Sequence, residues 1–176
     1  MQTQSSEQAI LIKKYTPVLE TIFETDQQAI RDVRVGKITV SDHAEINRKN
    51  VEIVKGIIAE MGFPRMDLIS KKAYLAAVLV VLHSGDVGFL NQSILTLQKA
   101  DPASRQKRDI AYMIDKVRVI EKRPQLYGTQ YHIDKDGVFK YIEIEKPDEL
   151  EKRRAEYEME SFEEYRKIVA RSLGEK

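Results

Sequence analysis

The chain contains no cysteine. Disulfides and thiolate metal sites are therefore excluded, and nothing points to a secreted, disulfide-dependent fold. Long apolar runs are also missing. The longest, Ala73 to Leu82, falls far short of the ~20 residues that span a bilayer and reads as a buried helix. The polar start, Met1 to Glu7, lacks the basic and apolar regions of a signal peptide. A soluble, cytoplasmic protein is expected.

Net charge is nearly absent as well. The formal value is +1, although 32% of the residues are charged, a mixture that argues against a general nucleic-acid or membrane-surface binder. The glycines form neither a dinucleotide-binding GxGxxG nor a phosphate-binding Walker loop, there is no GxSxG, and His43, His83 and His132 lack metalloprotease spacing. No metal site is expected and no cofactor is implied. One segment departs from the charge balance: between Arg105 and Arg123, seven basic residues outnumber Asp109, Asp115 and Glu121.

The 176 residues fit one ordinary domain with a substantial core. Apolar positions from Ile10 to Val33 recur at helical intervals, with Pro17 expected to kink that helix or start another. A second helix is expected after Ser41 or Asp42, with Glu45 closing a capping box, and Gly62 and Pro64 ending it. Lys71 to His83 is apolar all round and should be the central helix. Shorter amphipathic helices follow over Phe89–Ala100 and Arg105–Lys122, the latter with Asp115 and Arg118 close enough to pair on its surface. Gln130–Ile133 and Val138–Ile144, joined by Asp134-Lys135-Asp136-Gly137, read as a hairpin that needs a helical surface to pack on. Pro147 opens a last charged helix running to about Leu173. The expected fold is mainly α: one helical-bundle domain over residues 1–176 with a small β-hairpin at about 130–144.

Between the fifth helix and the hairpin lies Pro124-Gln125-Leu126-Tyr127-Gly128-Thr129-Gln130-Tyr131, a poor helix and a poor apolar strand whose side chains suit hydrogen bonding. If the central helix packs beside the Arg105–Lys122 helix, His83, Asp115, Gln125, Tyr127, Thr129 and Gln130 converge. His83 then acts as general acid or base, Asp115 orients it, and the amides and Tyr127 grip a polar ligand. The plainer reading of the same residues is a buried polar network that satisfies the backbone. Asp26, Arg31 and Asn50 are further ligand-binding candidates, more ordinarily solvated or capping residues. Arg153 and Arg154 belong to a charged helix face or reach inward as an anion clamp.

These residues together resemble a family of uncharacterised, mainly bacterial proteins known only as a domain of unknown function. The resemblance runs through Asp26-Gln27 with Arg31, Asn50 ahead of Gly62-Phe63-Pro64, His83 closing an apolar helix, Ala111-Tyr112-Met113-Ile114-Asp115-Lys116-Val117, and Gln125-Leu126-Tyr127-Gly128-Thr129-Gln130. The tail adds Arg153-Arg154-Ala155-Glu156 and Glu164-Tyr165. Lys116 stands where that family usually has Arg, which removes a bidentate contact. The resemblance implies that polar residues from Asp26 to Arg154 recur together around a shared site, and it implies no activity.

The leading expectation is a polar pocket around His83, Asp115 and Gln125–Gln130 that binds a small polar or anionic ligand held by Lys116, Arg118 or Arg31, with hydrolysis as the activity it would support. The competing expectation is a non-catalytic protein–protein interaction protein of immunity-like or regulatory type, using the hairpin and the last helix. Nucleic-acid binding rests only on the Arg105–Arg123 charge excess.

Overall fold

The computed structural model describes residues 2–133 and 139–173. Among them are seven α-helices, two short 3-10 turns and one two-stranded antiparallel sheet, so the fold is mainly α with a small hairpin. The chain divides into two compact units, Met1–Arg105 and Gln106–Lys176, each described by itself.

The first unit holds α1 (Gln2–Arg34), α2 (Val40–Met61), α3 (Lys71–His83) and α4 (Val87–Lys99). Pro17 lies inside α1, which continues through it as one helix. The hydroxyls of Thr16 and Thr21 donate to the carbonyls of Ile12 and Pro17, supplying donors around the place where proline has none. Helix α2 begins earlier than the sequence suggests. Thr39 is its N-cap: its hydroxyl accepts from Asp42 N at 3.1 Å while the Asp42 carboxylate accepts from Thr39 N at 2.9 Å. Asp42, the third residue of the helix, therefore closes the capping box, and Glu45 is left to pair with Arg48 at 2.7 Å. Gly62, with φ of 78°, closes α2 as expected.

Helix α3 packs against α1, α2 and α4. It buries Ala73, Tyr74, Ala76, Ala77, Val78, Val80 and Val81, the larger of which stabilise the unit by about 1.5–3 kcal/mol each. Ser70 caps it by accepting from Ala73 N and donates its own hydroxyl to Glu20 on α1 at 2.6 Å. Ser84 and Gly85 stop the helix, and Asp86 starts α4 by accepting from Phe89 N at 3.0 Å. The sharp α3–α4 corner is thus built from three consecutive small or capping residues, and it carries His83.

The second unit begins with α5 (Lys107–Ile120), followed by the Gln125–Gln130 loop, β1 (Tyr131–Ile133), β2 (Phe139–Tyr141), α6 (Leu150–Glu156) and α7 (Phe162–Leu173). The strands pair in register Tyr131↔Tyr141, His132↔Lys140 and Ile133↔Phe139. The expected Asp134–Gly137 turn lies outside the described residues. The hairpin does rest on a helix, because the Tyr141 ring meets Phe162 and Tyr165 of α7 with centroids 4.8 and 6.2 Å away. The single last helix expected from Pro147 is in fact two. Glu158, at φ of 56°, takes a left-handed conformation that ends α6, and the chain re-enters a helix only at Phe162.

Candidate functional site

Asp115 lies on α5 with no exposed surface. Its Oδ1 accepts from Leu126 N at 2.6 Å and Tyr127 N at 3.1 Å. Its Oδ2 accepts from Thr129 N at 3.0 Å and the Thr129 hydroxyl at 2.9 Å. A carboxylate has only lone pairs to offer, so one side chain gathers the N–H groups of an entire loop. Burial pushes the Asp115 carboxyl up from its ordinary range, and the hydrogen bonds from Thr129, Leu126 and Tyr127 work against that rise. The expected surface pair with Arg118 does not form; that guanidinium turns to the Pro124 carbonyl and Glu145 instead.

The carbonyls of the same loop point the other way and meet cations. Arg153 Nε donates to Leu126 O at 2.8 Å and Arg154 Nη1 to Tyr127 O at 2.5 Å. The Tyr165 hydroxyl donates to Thr129 O at 3.0 Å. Gln125, fully buried, donates its amide to the carbonyls of Gln130 and Ile142 and accepts from Gln130 N at 2.8 Å. Gln130 returns its side-chain amide to the Thr129 hydroxyl at 3.1 Å. Arg154 is 1% exposed, donates from Nε to Glu160 O, and stacks over Phe162 and Tyr165 at 5.7 and 5.0 Å. Tyr127 is buried against Tyr157, ring centroids 4.7 Å apart, and burial raises its phenol well above the usual range.

Gly128 completes this loop. At φ of 70° it adopts a conformation that side chains resist, and an added Cβ would lie 2.7 Å from Phe162 Cε2.

In the first unit, His83 borders a surface cleft of 350 Å³ shared with Asn47, Arg48, Val51, Glu52, Lys55, Ser84 and Asp86. Lys55 Nζ lies 2.9 Å from Asp86 Oδ2. The Phe89 N–H, then Lys55, hold the Asp86 carboxyl below its ordinary range. Asp26 is buried beside His43, whose Nε2 is 3.5 Å from Asp26 Oδ1, and it also accepts from Gln27. Asn50 is buried on α2, with an amide nitrogen that has no hydrogen-bond partner. Arg31 is exposed and donates to Gln28 at 2.7 Å. Lys116 is half-buried on α5.

The second unit thus brings together Asp115, Gln125, Tyr127, Thr129, Gln130 and Arg154; His83, Asp26, Arg31 and Asn50 belong to the first. Among the described residues no cluster of three or more acidic or imidazole groups is arranged to hold a metal. No helix among them is long and apolar enough to cross a membrane.

The model of a family of unknown function, DUF6624, matches residues 21–176. The chain belongs to DUF6624. No curated protein and no solved structure gives a significant match. In this DUF6624 member, the Asp115 motif, the Gln125–Gln130 motif and the Arg153-Arg154 pair are three parts of one hydrogen-bonded cluster.

Sequence reasoning missed Lys55, Asp86, Arg48 and Glu52 around His83, and Tyr157 and Glu145 around the loop. Two signals were available. Asp86 follows Ser84-Gly85 at the place where a helix must be capped, and Lys55 is the one cation within the mostly apolar stretch Val51–Ile58.

Proposed function

We propose that this protein binds a small polar ligand carrying an anionic group in the cleft beside His83, and that the Asp115 cluster serves to hold the second unit together. The observation that carries the first half is the lining: Arg48 and Lys55 offer cations, His83, Ser84 and Asn47 offer further hydrogen-bonding groups, and Glu52 and Asp86 offer acceptors around a volume of 350 Å³. A few convergent polar groups in a cleft of that size suit a metabolite-sized ligand. Supporting the second half, both Asp115 oxygens are already occupied by donors from its own chain, and Asp115 itself has no exposed surface.

The test is a thermal-shift and calorimetric titration of the full chain with inorganic phosphate, acetate, citrate and glycine, alongside His83→Asn and Lys55→Gln. Wild type should gain melting temperature with at least one anion, and Lys55→Gln should lose that gain while keeping its ligand-free melting temperature. No gain with any of the four, or an equal gain in both variants, overturns the reading. Turnover is followed by proton NMR of the acetate, citrate and glycine mixtures and by phosphorus NMR of the phosphate one. Ligand consumed by wild type and not by a folded His83→Asn would give His83 a catalytic role.

A second reading, docking of a protein strand, is favoured by the hairpin. Among the described residues neither β1 nor β2 has a second neighbouring strand, and His132 and Lys140 are exposed.

A further inference from the structure

The cleft at His83 does not end at Lys55. A second cleft of 430 Å³ begins beyond it, lined by Ile58, Ala59, Gly88, Phe89 and Gln92, and Lys55 and Asp86 border both. The two sides differ in chemistry. Toward His83 most of the lining residues are polar or charged, with Ala44 and Val51 among them; toward Phe89 most of the further residues are apolar. Between them stands the Lys55 ammonium, 2.9 Å from Asp86 Oδ2 and 5.5 Å from the centre of the Phe89 ring.

The partners of this ion pair are not equally free. Asp86 is the N-cap of α4, with Oδ1 accepting from Phe89 N at 3.0 Å, so displacing it uncaps a helix. Lys55 is 37% exposed on a flexible stem and can swing without disturbing any backbone. An exposed pair of this kind is weak, so a competing anion can recruit the ammonium.

We propose, resting on the reading above, that the ligand is an amphipathic organic anion. Its anionic group takes Lys55 from Asp86, and its apolar body lies over Ile58, Ala59 and Phe89. A wholly polar ligand would leave the second cleft unused, and a neutral apolar one would gain nothing from the ammonium at its entrance.

The test is an amide-resolved NMR titration of the full chain with sodium octanoate and sodium acetate, which share a carboxylate and differ in chain length. Ala59 is exposed, so Ala59→Gln places neutral bulk in the second cleft without touching the core and without a carboxylate one helical turn from Lys55. Octanoate should bind at least about tenfold more tightly than acetate, as partial burial of its extra methylenes requires. Its shifts should include the amides of Ala59, Gly88 and Gln92. Ala59→Gln should bring octanoate to the acetate level. Equal affinities in wild type, or undiminished octanoate binding in Ala59→Gln, overturn the amphipathic ligand while leaving the anion site standing. Failure of both carboxylates to move any cleft amide overturns both.

Discussion

Thr129 binds Asp115 twice, its amide nitrogen 3.0 Å and its hydroxyl 2.9 Å from the same carboxylate oxygen. With Leu126 and Tyr127 donating to the other oxygen, Asp115 carries a loop that makes no helix or strand of its own. Asp115→Asn should therefore destabilise the protein by about 3 kcal/mol, because charge-assisted bonds are lost and an amide NH₂ is turned on N–H donors. Urea denaturation followed by circular dichroism checks it; a change under ~1 kcal/mol would remove Asp115 from this role.

Gly128→Ala and Gly36→Ala make a matched pair. Both glycines have φ near +70°, but a Cβ at Gly128 would strike Phe162 and one at Gly36 meets nothing within 4 Å. Gly36→Ala should cost about 1 kcal/mol from backbone strain alone, and Gly128→Ala at least ~2 kcal/mol more from overpacking. Equal costs in melting experiments would mean that Phe162 yields freely.

Arg154→Lys keeps the charge and loses the fork. Lysine cannot reproduce the Nε bond to Glu160 O together with the Nη1 bond to Tyr127 O, and the expected loss is about 3 kcal/mol. Arg153, whose side chain is 16% exposed, should tolerate the same change better. A reversed order in chemical denaturation would contradict the geometry.

Alkaline pH should unfold the protein through its buried phenols. Burial raises Tyr112, Tyr127 and Tyr165, and pushes Tyr141 from 10.0 up to about 12. The folded state thus holds protons that the unfolded state releases. Stability is fully present below about pH 10 and falls as pH rises toward and past 12. Tyrosinate absorbance should then rise together with loss of helical circular dichroism; phenols that ionise in a still-helical protein would sink the prediction.

The sequence disclosed the elements whose cause is local. Residues Ala73–Leu82 are apolar on every face and form the buried α3, and Gly62 followed by Pro64 ends α2. Alternation around an Asp-Gly pair marked the hairpin strands. Caps were less legible, since Thr39, Ser41 and Asp42 are all acceptable N-caps and only the backbone geometry selects Thr39. The break at Glu158 carries no glycine or proline to announce it. Asp115 and the Gln125–Gln130 stretch could be singled out as polar residues in unusual places. Their arrangement could not, because the bonds join segments that only the folded chain brings together. Near His83, Lys55 and Asp86 looked like an ordinary surface cation and an ordinary cap, and their pairing across 31 residues is a tertiary fact.

The loop from Leu126 to Thr129 finds the acceptor for its N–H groups upstream, in Asp115 on α5, and the cations and phenol for its carbonyls downstream, from Arg153 to Tyr165. Neither set suffices, so the turn cannot settle while the chain is still being synthesised up to its strands. It must wait for residues that emerge 27 to 36 positions later. A chain truncated before Arg153 would keep every residue of the loop and every residue of α5, yet leave the loop carbonyls bare. Such a fragment should behave as a target for proteolysis, and the last two helices should decide whether the second unit survives.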